Sequence, residues 1–382
     1  MKAVHFGAGS IGRGFIGDLL HESGYEVVFL DNGEEIVEQI NASGSYDLLL
    51  INEGNRTKTI GNVRAVSSVA HAKEAAEELA TADIITTSVW SDNFRHIASL
   101  LAAGLAQRLD SGGPAVNVIA CENAMLNGDL LRAEVLAVWD RTDGELDSVA
   151  SFPNTAVDRL VIAETVEGAS VIKVGAVYEL VVERDRLVDP DSTPIEGAVY
   201  ADDVVSYIER KLYVINCGHS WAGYVGHVHG YTVMQDVLDD ELLREGMRAA
   251  MLESAALLEL KYGFGAEAMA SYIDFAIGRF RTPGVVDTVA RVCRSPIRKL
   301  GADERFVGPA RQALAAGLPV AQLVVGIAAI FRYHDPDDSQ SVELHEHLQQ
   351  HGLSATISRF TGLSEGDALH ALIVNAYTGV TA

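Results

Sequence analysis

An apolar segment near the start of the sequence, Ala3–Phe6, runs directly into a glycine motif and then into a stretch with helical patterning, Ile11–Ser23. The motif has GxGxxG spacing and reads Gly7-Ala8-Gly9-Ser10-Ile11-Gly12. In a strand–turn–helix setting, the first glycine permits a tight turn, the second lets a pyrophosphate approach the backbone, and the third lets the helix pack against the strand. Free N–H groups at the start of such a helix favour a phosphate. These six residues therefore predict the turn of a dinucleotide-binding βαβ unit.

An acidic residue, Asp31, ends the second apolar segment, Val27–Leu30, about 20 residues after the last glycine, as this fold requires. A carboxylate at that place can accept hydrogen bonds from the ribose hydroxyls of NAD, and it repels the 2′-phosphate of NADP. Asn32 and Gly33 follow, with no arginine to receive such a phosphate. NAD is therefore the expected cofactor. The alternative is a glycine-rich turn in an α/β fold that binds no cofactor.

Strand-like and helix-like segments alternate over the first 120 residues. The strand candidates are short and aliphatic or β-branched: Ala3–Phe6, Val27–Leu30, Leu48–Ile51, Ile84–Ser88 and Ala115–Ile119. Such alternation predicts a parallel, doubly wound sheet of Rossmann type with helices on both faces.

The pattern changes in the second half of the chain. Val171–Val174 and Val177–Val182 are strand-like and are expected to extend the first sheet, and Asp189–Pro194 is typical of a linker. Beyond Val199 the patterning is helical almost to the end, as in Asp239–Tyr262, Ala268–Ile277 and Val320–Phe331. We therefore predict an α/β NAD-binding domain with a β extension over residues 1–194, followed by a mostly α-helical substrate-binding domain over residues 195–382.

Composition argues against several classes of protein. The chain has 382 residues with 29 Lys+Arg against 53 Asp+Glu, a formal net charge of -24, which repels nucleic acid and anionic lipid. Cys121, Cys217 and Cys293 lie far apart without a CxxC pair, which argues against a disulfide framework or a zinc site. The longest apolar run, Val320–Phe331, is shorter than the roughly 20 residues of a membrane helix, and the N-terminus shows no signal-peptide pattern. We expect a cytoplasmic protein without a metal, membrane or nucleic-acid partner.

A polar constellation stands in an otherwise apolar segment of the second half. Lys211, Asn216 and His219 are separated by Leu212, Val214 and Ile215 among others, in the pattern K-x4-N-x2-H. In an α-helix, at about 100° per residue, the three polar side chains would lie on one side. Buried polar groups that share a face need partners or a ligand. The spacing alone leaves two readings open: a catalytic set, or a hydrogen-bonded core histidine beside a surface-reaching lysine.

Four segments carry a resemblance to the polyol-specific long-chain dehydrogenase/reductase family: Gly7–Phe15, Cys121–Asn123, Phe152–Arg159 and the Lys211/Asn216/His219 motif. This resemblance implies a Rossmann domain and a helical substrate domain. It also implies roles for the matched residues. Lys211 resembles the general base, Asn154 and Asn216 the donors to the developing alkoxide, His219 a substrate-orienting partner, and Asn123 a cofactor-binding residue.

Four cations crowd into nine residues at Arg291, Arg294, Arg298 and Lys299. The segments Arg294–Leu300 and Gly317–Arg332 also resemble the sugar-phosphate-specific members of that family. Arg294, Arg298 and Lys299 are therefore candidate ligands of a substrate phosphate, the alternative being a solvated basic patch. Pro296 is expected to interrupt any helix there.

The working hypothesis is hydride transfer between NAD(H) and a polyol phosphate, so the expected partner is a small sugar phosphate. Two alternative enzymes would share the polar residues Lys211, Asn216 and His219. They are a dehydrogenase of an unphosphorylated polyol and a hexuronate reductase. A non-enzymatic alternative is an NAD-sensing regulatory protein, which would have no need of a buried base.

Overall fold

The computed structural model describes residues 1–51, 56–166, 169–282 and 287–379. Internal contacts divide the chain into two units, Met1–Ile208 and Glu209–Ala382. The division falls further along the chain than the boundary predicted after residue 194. Within the described ranges, no helix combines the length and apolarity needed to cross a membrane.

The first unit contains two sheets. Its strands are β1 (Lys2–Phe6), β2 (Glu26–Asp31), β3 (Ser45–Leu50), β4 (Arg56–Gly61), β5 (Val63–Ser67), β6 (Ile84–Thr87), β7 (Val116–Ala120), β8 (Ala150–Ser151), β9 (Thr155–Val166), β10 (Ala169–Glu183) and β11 (Val199–Ala201). Six of them form a parallel sheet in the order β5-β2-β1-β6-β7-β8. That order is the Rossmann order, in which the strand sequence reverses next to β1.

Helices cover both faces of the parallel sheet. They are α1 (Gly17–Glu22), α2 (Glu34–Ser43), α3 (Ala72–Ala80), α4 (Phe94–Asp110), α5 (Asn127–Val138) and α6 (Asp143–Val149). A further helix, α7 (Val204–Arg210), instead packs against β9 and β10 of the second sheet. Side chains alternate between the faces along each strand. Ala3 and Val27 are buried in one core cluster, whereas Val4 and Val28 are buried in another that includes residues of α3 and α4. The predicted doubly wound α/β domain is confirmed.

A second sheet in the order β11-β10-β3-β4, with β9 paired to β10, corrects two expectations. Leu48–Ile51 was expected in the parallel sheet, but β3 pairs with β4 and β10 in the second sheet. The two segments Val171–Val174 and Val177–Val182 form one strand, β10, with a register irregularity between Val174 and Tyr178. They belong to this separate sheet and do not extend the first. An isolated apolar strand carries no local signal for the sheet it joins, because its partners are distant in sequence.

The second unit is helical in its described part. After a π-helical segment, Lys211–Asn216, its helices are α8 (Cys217–Val228), α9 (Met234–Asp239), α10 (Glu241–Tyr262), α11 (Ala266–Phe280), α12 (Val289–Cys293), α13 (Pro296–Lys299), α14 (Val307–Ala315), α15 (Ala321–Ile330), α16 (Ser339–Thr361) and α17 (Ala368–Thr378). The apolar run Val320–Phe331, predicted to be helical, contains α15, whose residues Leu323 and Ile327 are fully buried. Trp221 Nε1 on α8 donates a hydrogen bond to the carbonyl of Gln322 on α15 at 2.8 Å. This bond joins the two helices.

Candidate active site

The three glycines of the GxGxxG motif, Gly7, Gly9 and Gly12, have different structural roles. Gly7 has a φ of 98°, and a Cβ added there would lie 2.9 Å from the Ser88 carbonyl oxygen. A Cβ on Gly12 would lie 1.9 Å from the Gly7 carbonyl oxygen. A Cβ on Gly9 would meet no atom of the described protein within 4 Å. The first and third glycines are therefore required by close packing, whereas the second leaves its backbone open to a ligand.

The loop has further features that suit a dinucleotide. Ser10 and Ile11 begin the helical segment after the loop, and Arg13 N donates to the Gly9 carbonyl at 3.0 Å. The Arg13 Nε is buried and has no hydrogen-bond partner among the described residues. A buried donor without an acceptor is costly, so a pyrophosphate oxygen at this loop would satisfy it. The residues therefore fit the phosphate part of NAD.

Asp31 ends β2 beside the same loop. Its carboxylate accepts hydrogen bonds from Ala8 N at 2.6 Å and from Gly33 N at 2.8 Å. The next helix, α2, begins with two further acids, Glu34 and Glu35. This local negative charge disfavours a 2′-phosphate and so is consistent with the expected preference for NAD.

The Cys121–Asn123 segment leaves the end of β7. Glu122 is buried there and accepts hydrogen bonds from Thr87 Oγ1 and Val89 N, both at 2.8 Å. Burial raises the pKa of Glu122 to about 7. Asn123, the expected cofactor contact, is exposed next to it. Glu122 lies within a motif noted in the sequence, but no role was predicted for it. The two groups that it contacts lie at the end of a different strand, β6.

Asn154 lies just before β9, and its side chain is buried. Its Nδ2 donates to Asp129 Oδ2 at 3.1 Å and to Glu183 Oε2 at 2.8 Å, and its Oδ1 accepts from Asp129 N at 3.2 Å. Arg186 Nη1 in turn lies 2.6 Å from Asp129 Oδ1. Both amide donors of Asn154 are therefore engaged by carboxylates. Sequence reasoning missed Asp129, Glu183 and Arg186, since nothing in their spacing links them to Asn154.

Arg159, at the end of the Phe152–Arg159 motif, has a structural role in the first unit. Its Nη1 lies 2.5 Å from Asp18 Oδ2 and 3.0 Å from the Gly14 carbonyl, and both partners are buried. Its guanidinium also lies 5.3 Å from the centroid of the Tyr178 ring. Arg159 therefore fastens β9 to the helical segment that follows the glycine loop.

Lys211 and Asn216 begin and end the π-helical segment of the second unit. This segment was expected to be an α-helix, and the structure corrects that expectation. A π-helix closes its hydrogen bonds from i to i+5 and so turns less per residue than an α-helix. Lys211 and Asn216, which are five residues apart, therefore lie closer to one face than the α-helical spacing predicts. Single π turns inside helices occur frequently at functional sites.

His219 lies on the first turn of α8. Its ring stacks on Phe280 with centroids 4.3 Å apart and an interplanar angle of 12°, and its Nε2 lies 3.6 Å from Asp287 Oδ2. Burial lowers the pKa of His219 to about 4, against the attraction of Asp287. The ring is therefore neutral at physiological pH and presents one N–H donor and one acceptor.

The structure separates the members of the basic cluster. The helix is interrupted as expected from Pro296: α12 ends at Cys293, and α13 starts at Pro296. Arg291 forms a two-pronged ion pair with Asp287, and Arg298 Nη1 lies 3.4 Å from Glu304 Oε1. Arg294 is exposed and makes no hydrogen bond or ion pair with the described residues.

Lys299 is the buried member of this cluster, with 4% of its surface exposed. Its Nζ donates to the Val292 carbonyl and lies 5.4 Å from the Tyr224 ring centroid. Burial lowers the pKa of Lys299 to about 7, and repulsion from Arg305 contributes. The positive charge of Lys299 also contributes to the low pKa of His219, whose ring is neutral.

Arg305 is a second buried cation that sequence reasoning missed. Its Nε lies 3.1 Å from Glu304 Oε2, and its Nη1 lies 3.4 Å from Ser220 Oγ, next to His219. Two buried, mutually repelling cations beside a candidate catalytic residue form an environment that a substrate anion would stabilise.

In the described part of the chain, no group of three or more His, Cys, Asp or Glu side chains could hold a metal ion. The three cysteines are buried thiols.

Two family matches cover almost the whole chain. Residues 1–194 match the Mannitol dehydrogenase Rossmann domain, and residues 203–381 match the Mannitol dehydrogenase C-terminal domain. The chain therefore belongs to the mannitol dehydrogenase family and is an oxidoreductase, and the family resemblance predicted from the motifs is confirmed.

Similar proteins agree with this assignment. A mannitol-1-phosphate 5-dehydrogenase from Arthrobacter sp. (strain FB24) is 40% identical over 374 residues, covering 98% of this chain and 97% of the relative. One from Exiguobacterium sp. (strain ATCC BAA-1283 / AT1b) is 39% identical over 377 residues, covering 99% and 97%.

Among solved structures, Pseudomonas fluorescens mannitol 2-dehydrogenase with NAD and D-mannitol matches with a TM-score of 0.77 at 20% identity, covering 100% of this chain and 92% of that one. A substrate-free D-sorbitol dehydrogenase matches with a TM-score of 0.82 at 17% identity, covering 99% and 92%. At these identities the structures establish the shared fold.

Proposed function

We propose that this chain catalyses the NAD-dependent, reversible oxidation of D-mannitol 1-phosphate to D-fructose 6-phosphate. The observation that carries the proposal is the identity of about 40% over nearly the full chain with relatives named mannitol-1-phosphate 5-dehydrogenase. The glycine loop, the Lys211 motif and the buried cations supply the chemical groups that this reaction needs.

The cofactor would bind at the carboxyl ends of the parallel strands. The Gly7–Gly12 loop and Arg13 would receive the pyrophosphate, Asp31 the adenosine ribose, and Asn123 a further polar contact. The chemistry that bound NAD supplies is acceptance of the hydride from the secondary alcohol of the substrate.

The protein's own residues would handle the proton and the charge on the substrate oxygen. Lys211 Nζ would take the hydroxyl proton as the C–H bond breaks, and Asn154 and Asn216 would donate hydrogen bonds to the oxygen as it becomes negative. Asn154 can do so only if one of its bonds to Asp129 or Glu183 opens, because both of its amide protons are engaged. Neutral His219 would orient a substrate hydroxyl.

The substrate phosphate would bind the cations near His219 in the helical unit. Lys299 and Arg305 are buried there and Arg294 is exposed and unpaired among the described residues, whereas Arg298 shares Glu304 with Arg305. The net charge of -24 means that long-range attraction cannot select a sugar phosphate. Selection would therefore depend on these short-range donors.

The alternatives differ in substrate, so one experiment separates them. We would measure NADH oxidation with fructose 6-phosphate, fructose, fructuronate and tagaturonate in parallel. Preference for fructose would favour a mannitol 2-dehydrogenase, and preference for either uronate a hexuronate reductase. NADH binding without turnover of any of them would favour an NAD sensor.

Asp31 leads to a prediction about cofactor preference. The wild type is expected to use NADH far better than NADPH, because the Asp31 carboxylate repels a 2′-phosphate. Asp31→Ala should narrow this gap, mainly by raising the Michaelis constant for NADH. Asp31→Asn is the matched control, since it keeps the shape of the side chain and removes its charge. A wild type that prefers NADPH would contradict this role of Asp31.

Lys299 leads to a prediction about pH. Because its pKa is lowered to about 7, the amine loses its proton as the pH rises above 7, and a neutral amine no longer attracts phosphate. The Michaelis constant for fructose 6-phosphate should therefore rise between pH 7 and pH 9, by up to about tenfold per pH unit for a single titrating group. Lys299→Met should flatten this rise, and the profile with fructose corrects for other titrating groups. An unchanged slope in Lys299→Met would contradict the prediction.

A further inference from the structure

A tryptophan stands out at the end of β6. Trp90 has 77% of its surface exposed, whereas the other two tryptophans, Trp139 and Trp221, are 9% and 3% exposed. Exposing a large aromatic side chain to water to this degree costs free energy. Trp90 has no role in the mechanism proposed above.

The backbone at Trp90 is also strained. Its φ is 70°, a region that bulky residues rarely adopt. Neighbouring hydrogen bonds hold this conformation: Asn93 N donates to the Trp90 carbonyl at 2.9 Å, Asn93 Nδ2 donates to the Val89 carbonyl at 2.7 Å, and Glu122 Oε1 accepts from Val89 N at 2.8 Å. Such strain persists only where surrounding structure enforces it, and it clusters at functional sites.

The strained turn adjoins the glycine loop. Ser88 N donates to the Phe6 carbonyl at 2.9 Å. A Cβ on Gly7 would lie 2.9 Å from the Ser88 carbonyl oxygen and 3.3 Å from Val89 Cγ1. Strands β1 and β6 are neighbours at the point where the strand order reverses, which is where dinucleotides bind in such sheets.

We propose that Trp90 is a cofactor contact that packs its indole against a planar base of bound NAD(H), and that Glu122 is the positioning residue that fixes the turn presenting it. This inference rests on the proposed NAD(H) binding and adds two residues to it. An indole ring can stack on either heterocycle of the dinucleotide, because adenine and oxidised nicotinamide are flat and aromatic and the reduced nicotinamide ring stays close to planar.

The first test compares NADH dissociation constants measured by calorimetry. Trp90→Gly removes the ring and keeps a residue that tolerates positive φ, so its melting temperature should match or exceed that of the wild type. Its dissociation constant for NADH should rise about tenfold, as expected for loss of a base-stacking aromatic. Trp90→Phe should lose less. Leu242→Ala, which truncates an equally exposed apolar side chain of the helical unit, should bind NADH as the wild type does.

ADP-ribose identifies which base is contacted. A loss of affinity shared by ADP-ribose and NADH supports contact with adenine, and a loss confined to NADH supports contact with nicotinamide. Equal NADH affinity in the wild type and Trp90→Gly overturns the inference. This holds whether or not size-exclusion chromatography shows a changed oligomeric state for the variant. A wild type that fails to bind NADH overturns the proposed function as well, so the two failures are distinguishable.

The second test concerns Glu122. Glu122→Ala removes the acceptor of Val89 N–H and should weaken NADH binding, whereas Glu122→Gln keeps an acceptor oxygen and should bind nearly as the wild type does. If Glu122 acts through the turn, adding Glu122→Ala to Trp90→Gly should cause little further loss, since coupled residues are not additive. Fully additive losses, or loss of affinity in Glu122→Gln equal to that in Glu122→Ala, would overturn the positioning role.

Discussion

Replacement of Lys211 by alanine is expected to lower kcat by a factor on the order of 10²–10⁴, the usual contribution of a positioned general base. Without an amine at this place, no side chain of the proposed set takes the alcohol proton as the hydride leaves. NADH affinity should stay near that of the wild type, because the proposed cofactor contacts lie on the strand ends of the first unit. The measurement is steady-state turnover in both directions, with NADH binding determined by calorimetry.

Lys211→Arg is the matched variant for this prediction. Arginine keeps the positive charge and length but cannot lose its proton at accessible pH, so it should be almost as slow as alanine. Near-wild-type turnover of Lys211→Ala across the pH range would remove Lys211 from the mechanism. Recovery of activity in Lys211→Arg alone would show that charge, and not proton transfer, is what the residue provides.

Loss of the buried cation at Lys299 should raise the Michaelis constant for fructose 6-phosphate by about ten- to a hundredfold. A hydrogen bond to a charged partner contributes roughly 1.5–3 kcal/mol, and about 1.4 kcal/mol corresponds to one decade. Lys299→Met is the appropriate change because methionine fills similar volume. Lys299 also has no ion pair with a carboxylate among the described residues, so removing its charge should not strand a buried partner.

The control measurement is the activity of Lys299→Met on unphosphorylated fructose, which should stay close to that of the wild type. Arg298→Ala should follow the same pattern, with a smaller effect because the Arg298 side chain is exposed and lies next to Glu304. Equal losses on the two sugars would indicate a folding defect, and no loss on either would place the phosphate elsewhere.

Local sequence patterns were sufficient for the class of fold and for the cofactor loop. Strand and helix periodicity reflects which face of each element is buried, so the parallel sheet and the helical second half were predictable from the residues themselves. The glycine loop was predictable from its own motif. A side chain at Gly12 would clash with the Gly7 carbonyl, and a side chain at Gly7 would clash with Ser88, which follows the neighbouring strand. The break in the helix at Pro296 likewise follows from one residue.

Only the tertiary structure decided which sheet β3 joins, that Lys211–Asn216 is a π-helix, and that Asn154 is held by Asp129 and Glu183. It also distinguished Lys299, which is buried, from its exposed neighbour Arg298, although both are basic residues in one short segment. The sheet partners of β3 and the carboxylates around Asn154 depend on contacts between residues far apart in the chain. Burial and hydrogen bonding of that kind are properties of the packed chain, and no local window of sequence contains both partners.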